Sequence, residues 1–372
     1  MTSNSPNHPC LIPLGHTAHT IDFYCFQELD QTDYDNLFQK QFAQWGYTGV
    51  YKKRNGDKHD GCALFFRDQS VKAVSIVTVD YNQNSFIDRD NVGIVGVFDI
   101  RQEVLLMIGT QTQRVCIATT HILFNPSRGM IKIAQLRMLL ERVKMLIDKE
   151  EKEIPLILCG DMNSLPHSTV LDYLLKESVD VSTVPESHMS GQFKGHIPKG
   201  SWVNGIEKFH EGFDHTNRQI TITAKAVETV ESVIERPQSP NAGTTGTLDV
   251  SQSIMISKSI TEGTQGSIIS QPFLLRSAYD ISAPSHDAKG NNRVPRGQPF
   301  TTYHLLCRQV CDYIFYGNLR QKASDSQSPT RLELVACLEL PCKTLGAVPS
   351  LPTDEFGSDH LSLVSKFRFV AH

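Results

Sequence analysis

The sequence lacks any excess of positive charge. Its 372 residues carry 36 Lys and Arg against 40 Asp and Glu, a net charge of −4, and the isoelectric point is near 6.4. A protein that holds nucleic acid through its overall field needs the opposite balance. Any contact with nucleic acid must therefore come from a local basic patch or from a metal ion.

Paired cysteines are also absent. The nine cysteines are an odd number with no CxxC pair, and no histidine cluster accompanies Cys307/Cys311 or Cys337/Cys342. A reduced intracellular protein fits this pattern better than a disulfide framework or a zinc site. The sequence shows no signal-like apolar region and no apolar run of transmembrane length. We expect a soluble protein of the cytoplasm, the nucleus or both, with no membrane partner.

Composition divides the chain into three kinds of segment. Residues 1–20 are rich in Ser, Asn, Pro and His and are predicted to form a disordered tail. Residues 21–372 are predicted to form one domain, interrupted at about 193–270 by a stretch rich in Ser, Thr, Gly and Gln. Such a stretch cannot bury enough apolar surface to offset its ordering entropy. It is therefore predicted to be a surface insertion, and protein partners could bind there.

The most informative stretch is LILCGDMNS, residues 156–164. Its four apolar residues are typical of a short strand buried on both faces, and Gly160 permits a sharp exit. Asp161 and Asn163 follow two positions apart, so their side chains share a side if the chain stays extended. A carboxylate beside a carboxamide suits phosphate or metal-water chemistry. The alternative is an Asx turn that caps the next helix.

Other apolar runs also end in polar residues. Each of these residues has a structural alternative, such as a solvated strand edge or a satisfied histidine. An Asp-His pair together with a second carboxylate is more specific, because a carboxylate can fix the tautomer of an imidazole. The candidates at these strand ends are Glu28, His121, Asn125, Asp312, Asp359 and His360.

Three helices are predicted between the strands. The first is capped by Thr32, carries an apolar stripe and stops at Gly46. The second runs over 131–148 with apolar residues at helical spacing, and the third over 168–176. For the last two we expect only a packing role. The stripe of the first helix is expected to consist of Leu37, Phe38, Phe42 and Trp45.

A basic loop lies between two strands near residues 51–67. Lys52, Lys53 and Arg54 belong to the densest basic group in the chain. The loop is either a solvated hairpin or a basic lip for an anionic substrate, since phosphate contacts supply much of the affinity for nucleic acid. We predict that these three residues, with Asp60 and Asn125, bind substrate.

Together the motifs QE, H, GDMNS, DYIFY and SDHLSL, in this order, resemble the endonuclease/exonuclease/phosphatase superfamily. The stretches DGCALFF, IDRDNVGIV, TTHILFNPSRG, LRSAY and VCDYIFY are similar to its deadenylase-related branch of CCR4-like and nocturnin-like proteins, and most of all to the Angel family. The resemblance covers residues 22–369 apart from the insertion. It implies a two-layer α/β sandwich flanked by helices that hydrolyses phosphoesters with Mg²⁺, or with Mn²⁺.

The resemblance also implies a role for each candidate. Glu28 would bind the metal ion and Asp359 would support it. Asp161 would orient or deprotonate the attacking water, and Asn163 would hold the phosphoryl oxygens. His121 would contact the scissile phosphate. His360, oriented by Asp312, would stabilise the charge that develops on phosphorus or would transfer a proton.

One departure from the family pattern bears on activity. Family members begin with a strand that ends in an asparagine, whereas here only the Pro/Asn/His-rich tail precedes Asp22. The chain is therefore expected to be N-terminally truncated and to lack one metal-site ligand. The leading hypothesis is an enzyme acting on RNA 3′ ends, either a poly(A)-type 3′→5′ exonuclease or a 2′,3′-cyclic phosphatase. The alternatives are a catalytically impaired RNA- or protein-binding relative and a small-molecule or lipid phosphodiesterase.

Overall fold

The computed structural model describes residues 21–83, 85–101, 104, 113–150, 153–192, 268–279, 300–304, 307–320, 330–340, 350–353 and 357–370. The expected tail and the expected truncation concern residues 1–20, which lie outside these ranges. Residues 193–267 of the expected insertion also lie outside them. The last part of that insertion is described and is ordered: Ile268–Ser270 forms a strand that pairs with Ser178–Asp180.

The first sheet has three antiparallel strands. In chain order they are β1 (Phe23–Asp30), β2 (Tyr47–Lys53) and β3 (Asp60–Arg67), and β3 lies in the middle. A helical segment, α1 (residues 31–44), follows β1 and covers the sheet. It consists of a short α-helical start, a π-helical turn at Tyr34–Phe38 and an α-helix at Gln39–Gln44.

The second sheet has six strands in the order β10-β13-β7-β6-β5-β4. All neighbours are antiparallel except β6 and β7, which run parallel because the helix α2 (Gly129–Ile147) connects them. The six strands are β4 (Val71–Asp80), β5 (Val92–Ile100), β6 (Arg114–His121), β7 (Leu156–Asp161), β10 (Phe273–Ser277) and β13 (Asp312–Leu319).

Three smaller pairings complete the described strands. The helix α3 (Thr169–Leu175) precedes the first of them. The pairs are β8 (Ser178–Asp180) with β9 (Ile268–Ser270), β11 (Thr302–His304) with β12 (Cys307–Gln309), and β14 (Arg331–Cys337) with β15 (Ser365–Val370).

Alternation along β3 shows how the layers stack. Ala63 and Phe65 face α1, whereas Cys62, Leu64 and Phe66 face the second sheet. The other face of the second sheet packs on α2 and α3. The order of layers is therefore helix, sheet, sheet, helix, which confirms the predicted α/β sandwich flanked by helices. Complete burial of a side chain such as Phe65 contributes about 1.5–3 kcal/mol to the free energy of unfolding.

The first helix differs from its prediction. Asp30, not Thr32, caps it, since its carboxylate accepts a hydrogen bond from Thr32 N at 2.7 Å. Two expected stripe residues, Leu37 and Trp45, are 47% and 42% exposed. The cause is the π-helical turn, which widens one turn and shifts the buried face, so that Tyr34 is buried instead.

Gly160 lies inside β7 rather than at its exit. Its φ is +153°, and a Cβ there would lie 2.0 Å from the carbonyl oxygen of Thr120 on β6. Only glycine allows these two strands to approach so closely. The chain leaves the strand after Asp161, one residue later than predicted. None of the helices in the described ranges is long and apolar enough to cross a membrane.

Candidate active site

Strand register brings three predicted residues together. His121 on β6 is the register partner of Asp161 on β7, and Asp161 is the register partner of Asp312 on β13. All three residues stand at the same edge of the second sheet, at one end of their strands. Neighbouring strands lie about 5 Å apart, so this register alone places three titratable side chains within reach of one another.

Asp161 and Asn163 form the Asx turn that the structural interpretation predicted. Asn163 has a left-handed φ of +43°, so the chain does not stay extended as the shared-side argument required. Asp161 Oδ1 instead accepts a hydrogen bond from Asn163 N at 2.7 Å, which is an Asx turn. The turn does not cap α3, because Ser168 does so. Both side chains are buried at the sheet edge, and their role in phosphate or metal-water chemistry stays a prediction.

His121 is buried and uncharged. Asn163 Nδ2 donates to His121 Nε2 at 2.9 Å and to the carbonyl of Ile122 at 3.1 Å. In this arrangement His121 carries its proton on Nδ1, which lies 3.8 Å from Glu28 Oε1. Burial, together with the nearby Arg54 charge, lowers the pKa of His121 to about 4. The imidazole is therefore neutral near pH 7 and makes no ion pair with the nearby carboxylates of Glu28 and Asp161.

A bulge in β1 directs Glu28 towards this site. The pairing of β1 with β3 is interrupted between Phe26 and Leu29, and Glu28 has a left-handed φ of +54°. A bulge re-aims a side chain, and a non-glycine residue in this conformation is typical of functional sites. The Glu28 side chain is 65% exposed, so it stands at the open mouth of the site.

Asp312 and His360 form the pair that the sequence predicted. His360 Nδ1 lies 2.8 Å from Asp312 Oδ2. Burial opposes the charge on His360, but the hydrogen bond and charge of Asp312, with the charges of Asp161 and Asp359, raise its pKa to about 9. At neutral pH His360 is thus an imidazolium that donates from Nδ1 to Asp312.

The backbone around this pair is fixed by β11 and the residue before it. Thr301 Oγ1 accepts hydrogen bonds from the backbone N–H groups of Cys311 and Asp312, both at 3.0 Å. Tyr303 N donates to the carbonyl of Asp359 at 2.8 Å, and Thr302 and His360 form an isolated β-bridge. The segment of Asp359 and His360 therefore runs beside β11 and is held against the end of β13.

Asp161 has the most perturbed carboxyl of the site. Burial and then the charge of Asp312 raise its pKa to about 7, although His360 and the hydrogen bond from Asn163 oppose the shift. A carboxylate with a pKa near the working pH is well matched to proton transfer. The site therefore combines a carboxyl that titrates near neutral pH with a cationic imidazole.

One group of side chains could hold a metal ion. Ligand atoms of Asp161, Cys311, Asp312 and His360 lie within 4.8 Å of one another. The Cys311 thiol points to Asp312 Oδ2 at 3.5 Å, and a soft sulfur ligand does not suit Mg²⁺. The carboxylates are hard oxygen donors of the kind that Mg²⁺ prefers. The donor set therefore fits a hard cation through its carboxylates and not through Cys311.

The predicted substrate-binding residues divide into two groups. Arg54 pairs with Asp60 and lies close enough to affect the pKa of His121. Lys52 instead pairs with Asp80 at 2.8 Å, and Lys53 donates to the carbonyls of Arg54 and Gly56. Asn125 accepts from Ser127 N at 3.0 Å and shapes a turn after His121. The substrate-binding role of all five predicted residues stays a prediction.

Sequence reasoning missed two buried polar residues of α2. Lys132 and Gln135 were treated as part of a packing helix, yet both are fully buried behind the site. Lys132 Nζ donates to the carbonyl of Asn163, and Gln135 Oε1 accepts from Leu123 N at 2.8 Å. A usable signal was present: each stands four residues before a buried apolar residue, Leu136 or Leu139, and therefore on the apolar face.

Two known proteins are similar in sequence to this chain over nearly its whole length. Carbon catabolite repressor protein 4 homolog 3 of Arabidopsis thaliana is 29% identical over 350 residues, which cover 94% of this chain and 64% of the relative. Protein angel homolog 2 of Danio rerio is 31% identical over 362 residues, which cover 94% of this chain and 56% of the relative. The chain thus spans less than two thirds of the length of either relative.

A solved structure and a family profile agree with these relatives. The crystal structure of ANGEL2, described as a 2′,3′-cyclic phosphatase and bound to adenosine-2′,3′-vanadate, matches with a TM-score of 0.62 and 27% identity over 94% of this chain and 82% of that chain. The profile of the Endonuclease/Exonuclease/phosphatase family matches residues 5–360. The chain therefore belongs to the Endonuclease/Exonuclease/phosphatase family and, within it, to the Angel and CCR4-like branch.

Proposed function

We propose that this chain is a phosphoesterase that opens 2′,3′-cyclic phosphates at the 3′ ends of RNA. The observation that carries the proposal is the meeting of Asp161, a base with a pKa near 7, with the Asp312–His360 pair at one sheet edge. Hydrolysis of a phosphoester needs a base for the attacking water and an acid for the leaving oxygen. The similarity to a structure described as a 2′,3′-cyclic phosphatase supports this choice of substrate.

The proposed reaction assigns a donor and an acceptor to each proton that moves. Asp161 takes a proton from water as the water oxygen bonds to phosphorus. The bond between phosphorus and one ribose oxygen breaks, and the His360 imidazolium gives its proton to that oxygen. Asp312 holds the imidazole by its Nδ1 proton, which leaves Nε2 to act as the acid.

The neutral His121 and the polar groups near it would position the phosphate. His121 Nδ1 is buried and has no hydrogen-bond partner among the described residues, so it can donate to a phosphoryl oxygen. Asn163 holds the ring in this tautomer through its contact with Nε2. Arg54 is the member of the basic group that lies near His121, and the proposal assigns it, rather than Lys52, to the substrate anion.

A divalent cation, Mg²⁺ or Mn²⁺, would be held by the Glu28 carboxylate with support from Asp359, which leaves Asp161 free to act as the base. When bound, it would supply positive charge to the phosphoryl oxygens. Glu28 stands at the exposed mouth and can adjust its side chain to complete such a site. The carboxylates supply the hard oxygen donors that these cations require.

The proposed setting follows from the substrate. RNA 3′ ends occur in both the nucleus and the cytoplasm, and we propose that the chain acts in either compartment. Residues 193–267 lie outside the described structure, and contact with protein partners through them is proposed from composition alone. A poly(A)-type exonuclease remains the second candidate, because a homologue of carbon catabolite repressor protein 4 is among the relatives.

Two RNAs with 5′ labels separate these functions. One ends in a run of adenosines with a free 3′-hydroxyl, and the other ends in a 2′,3′-cyclic phosphate. With Mg²⁺ present, we expect the second RNA to change mobility without shortening and the first to stay intact. A ladder from the first RNA would favour the exonuclease. Binding of both RNAs without any conversion would indicate a catalytically impaired relative, and hydrolysis of a small-molecule or lipid phosphodiester alone would exclude RNA as the substrate.

A further inference from the structure

Lys132 is a fully buried lysine that the proposed chemistry does not use. Its side chain has no exposed surface, although it belongs to the residue type least often buried without a partner. The side chain therefore cannot touch a substrate. Any influence on the reaction must pass through the groups that its amine contacts.

Those groups are two backbone carbonyls. Lys132 Nζ donates to the carbonyl of Asn163 and, at 3.3 Å, to the carbonyl of Phe124. Asn163 lies on the segment that leaves β7, and Phe124 on the segment that leaves β6. The amine thus connects the two segments that carry the site residues Asn163 and His121.

The conformation of Asn163 makes such a connection necessary. Its left-handed φ of +43° is unfavourable for a non-glycine residue and persists only where surrounding contacts fix it. The Asx turn fixes its N–H and the buried lysine fixes its carbonyl. With both ends held, the side-chain amide is directed at His121 Nε2.

Gln135, one turn along α2, continues the same arrangement on the β6 side. Its Oε1 accepts from Leu123 N, and its Nε2 donates to Asn91 Oδ1 at 3.3 Å. Asn91 Nδ2 in turn donates to the carbonyl of His121 at 3.0 Å. These two buried polar residues of α2 therefore reach both site segments, and Lys132 is the one that contacts the two at once.

We propose that Lys132 is a positioning residue, which clamps the segment after β6 to the segment after β7 and thereby sets the contact between His121 and Asn163. The kinetic part of this inference rests on the proposed function, whereas the geometric part does not. Burial lowers the pKa of Lys132 to about 7, so the amine is held in a site that disfavours its charge. A residue needed only to fill space would be an apolar one.

The test compares Lys132→Met with Leu136→Ala in the full chain. Methionine keeps the length of the side chain and removes the donors, while Leu136 is fully buried on the same helix without a polar contact to either segment. Spectra of protein labelled with ¹⁵N in asparagine report the side-chain amide of Asn163. We expect Lys132→Met to move or broaden that signal, and Leu136→Ala to leave it in place at temperatures below its melting point.

Kinetics on the RNA that ends in a 2′,3′-cyclic phosphate add a second reading. We expect Lys132→Met to lower kcat about 10- to 100-fold with KM changed less than about threefold, since misplacement of site groups affects mainly the transition state. Leu136→Ala should lower the melting temperature and spare kcat. If Lys132→Met does not fold, Lys132→Gln, whose shorter side chain retains an N–H donor group, is expected to show a smaller loss in the same direction.

Three results would overturn or separate the claims. An unchanged Asn163 signal with unchanged kcat in Lys132→Met would overturn the positioning role. Equal losses of kcat in Lys132→Met and Leu136→Ala, in step with their melting temperatures, would overturn it as well. An inactive wild-type protein whose Asn163 signal still moves in Lys132→Met would refute the proposed function and support the clamp.

Discussion

His360 Nδ1 lies 2.8 Å from Asp312 Oδ2, across 48 residues of sequence. The pair joins the end of β13 to the segment that runs beside β11. Its electrostatic consequence is an imidazole that stays protonated at neutral pH. Several expectations about activity and stability depend on this contact and on its neighbour Asp161.

Asp312→Asn should move the alkaline limb of the pH–rate profile. In the wild type the pKa of His360 is raised to about 9, so activity that needs the imidazolium is retained up to that pH. Loss of the carboxylate charge lowers this pKa towards its ordinary value of about 6.5. At pH 8 we expect a loss of kcat of about 10- to 100-fold. Rates measured from pH 5 to 10 test this, and an alkaline limb that does not move would contradict the assignment.

Asp161→Asn should stabilise the protein more at pH 8 than at pH 5. The folded-state pKa is raised to about 7, above the unfolded value of about 4. The cost of burying the ionised carboxylate is therefore absent below pH 4 and complete above pH 7. Asparagine removes that cost and keeps an oxygen for the Asn163 N–H. Thermal melts in the presence of EDTA should show the difference, with a gain at pH 8 that exceeds the gain at pH 5 by about 3 °C or more.

The control for this measurement is Asp88→Asn. Asp88 is about half exposed and pairs with its neighbour Arg89, so we expect the same small effect at both pH values. Equal shifts for Asp161→Asn at the two values would show that the buried carboxyl does not titrate as described.

Gly160→Ala should disrupt the sheet where β6 and β7 meet. A Cβ at residue 160 would lie 2.0 Å from the Thr120 carbonyl oxygen, so one strand must move away. We expect insoluble protein or a loss of about 4 kcal/mol or more of unfolding free energy, typical of severe strain in a core. Gly46→Ala is the matched control, because its φ of +81° is also positive but nothing lies within 4 Å. It should cost only about 1–2 kcal/mol, and similar urea midpoints for the two variants would refute the packing argument.

Glu28→Gln should weaken stabilisation by Mg²⁺. A cation that binds only the folded state raises the free energy of unfolding, by about 1.4 kcal/mol when its concentration is ten times Kd, and the melting temperature rises with it. Without the Glu28 carboxylate, we expect at least about a tenfold higher Mg²⁺ concentration for the same shift. Glu333→Gln, which changes a carboxylate of β14 paired with Arg368, should behave as the wild type. Identical Mg²⁺ titrations for Glu28→Gln and the wild type would remove Glu28 from the metal site.

Much of the site could be predicted because strand ends leave a clear pattern. A buried strand is apolar until it reaches the sheet edge, so Asp161, His121 and Asp312 stand out against the residues before them. Their convergence followed from the family resemblance. The register that aligns them depends on pairing between residues far apart in sequence, which no local pattern specifies.

The remaining features depend on conformations that tertiary packing imposes. The left-handed Glu28 and Asn163 and the π-helical turn of α1 break the regular periods on which sequence patterns rest. Lys132 was missed for another reason. Its position on the apolar face of α2 was a usable signal, but a lysine there ordinarily extends its amine to water, and the two carbonyls that this amine contacts show that it does not.

The most direct measurement follows one RNA, labelled at its 5′ end and terminated by a 2′,3′-cyclic phosphate, with wild-type protein and Asp161→Asn side by side. The account predicts that the wild type opens the cyclic phosphate in the presence of Mg²⁺ without shortening the RNA. It predicts that Asp161→Asn, although folded and at least as stable, is slower by about a thousandfold, because the base that takes the proton from water is lost. Turnover by Asp161→Asn at the wild-type rate would contradict the assignment of this sheet edge as the active site.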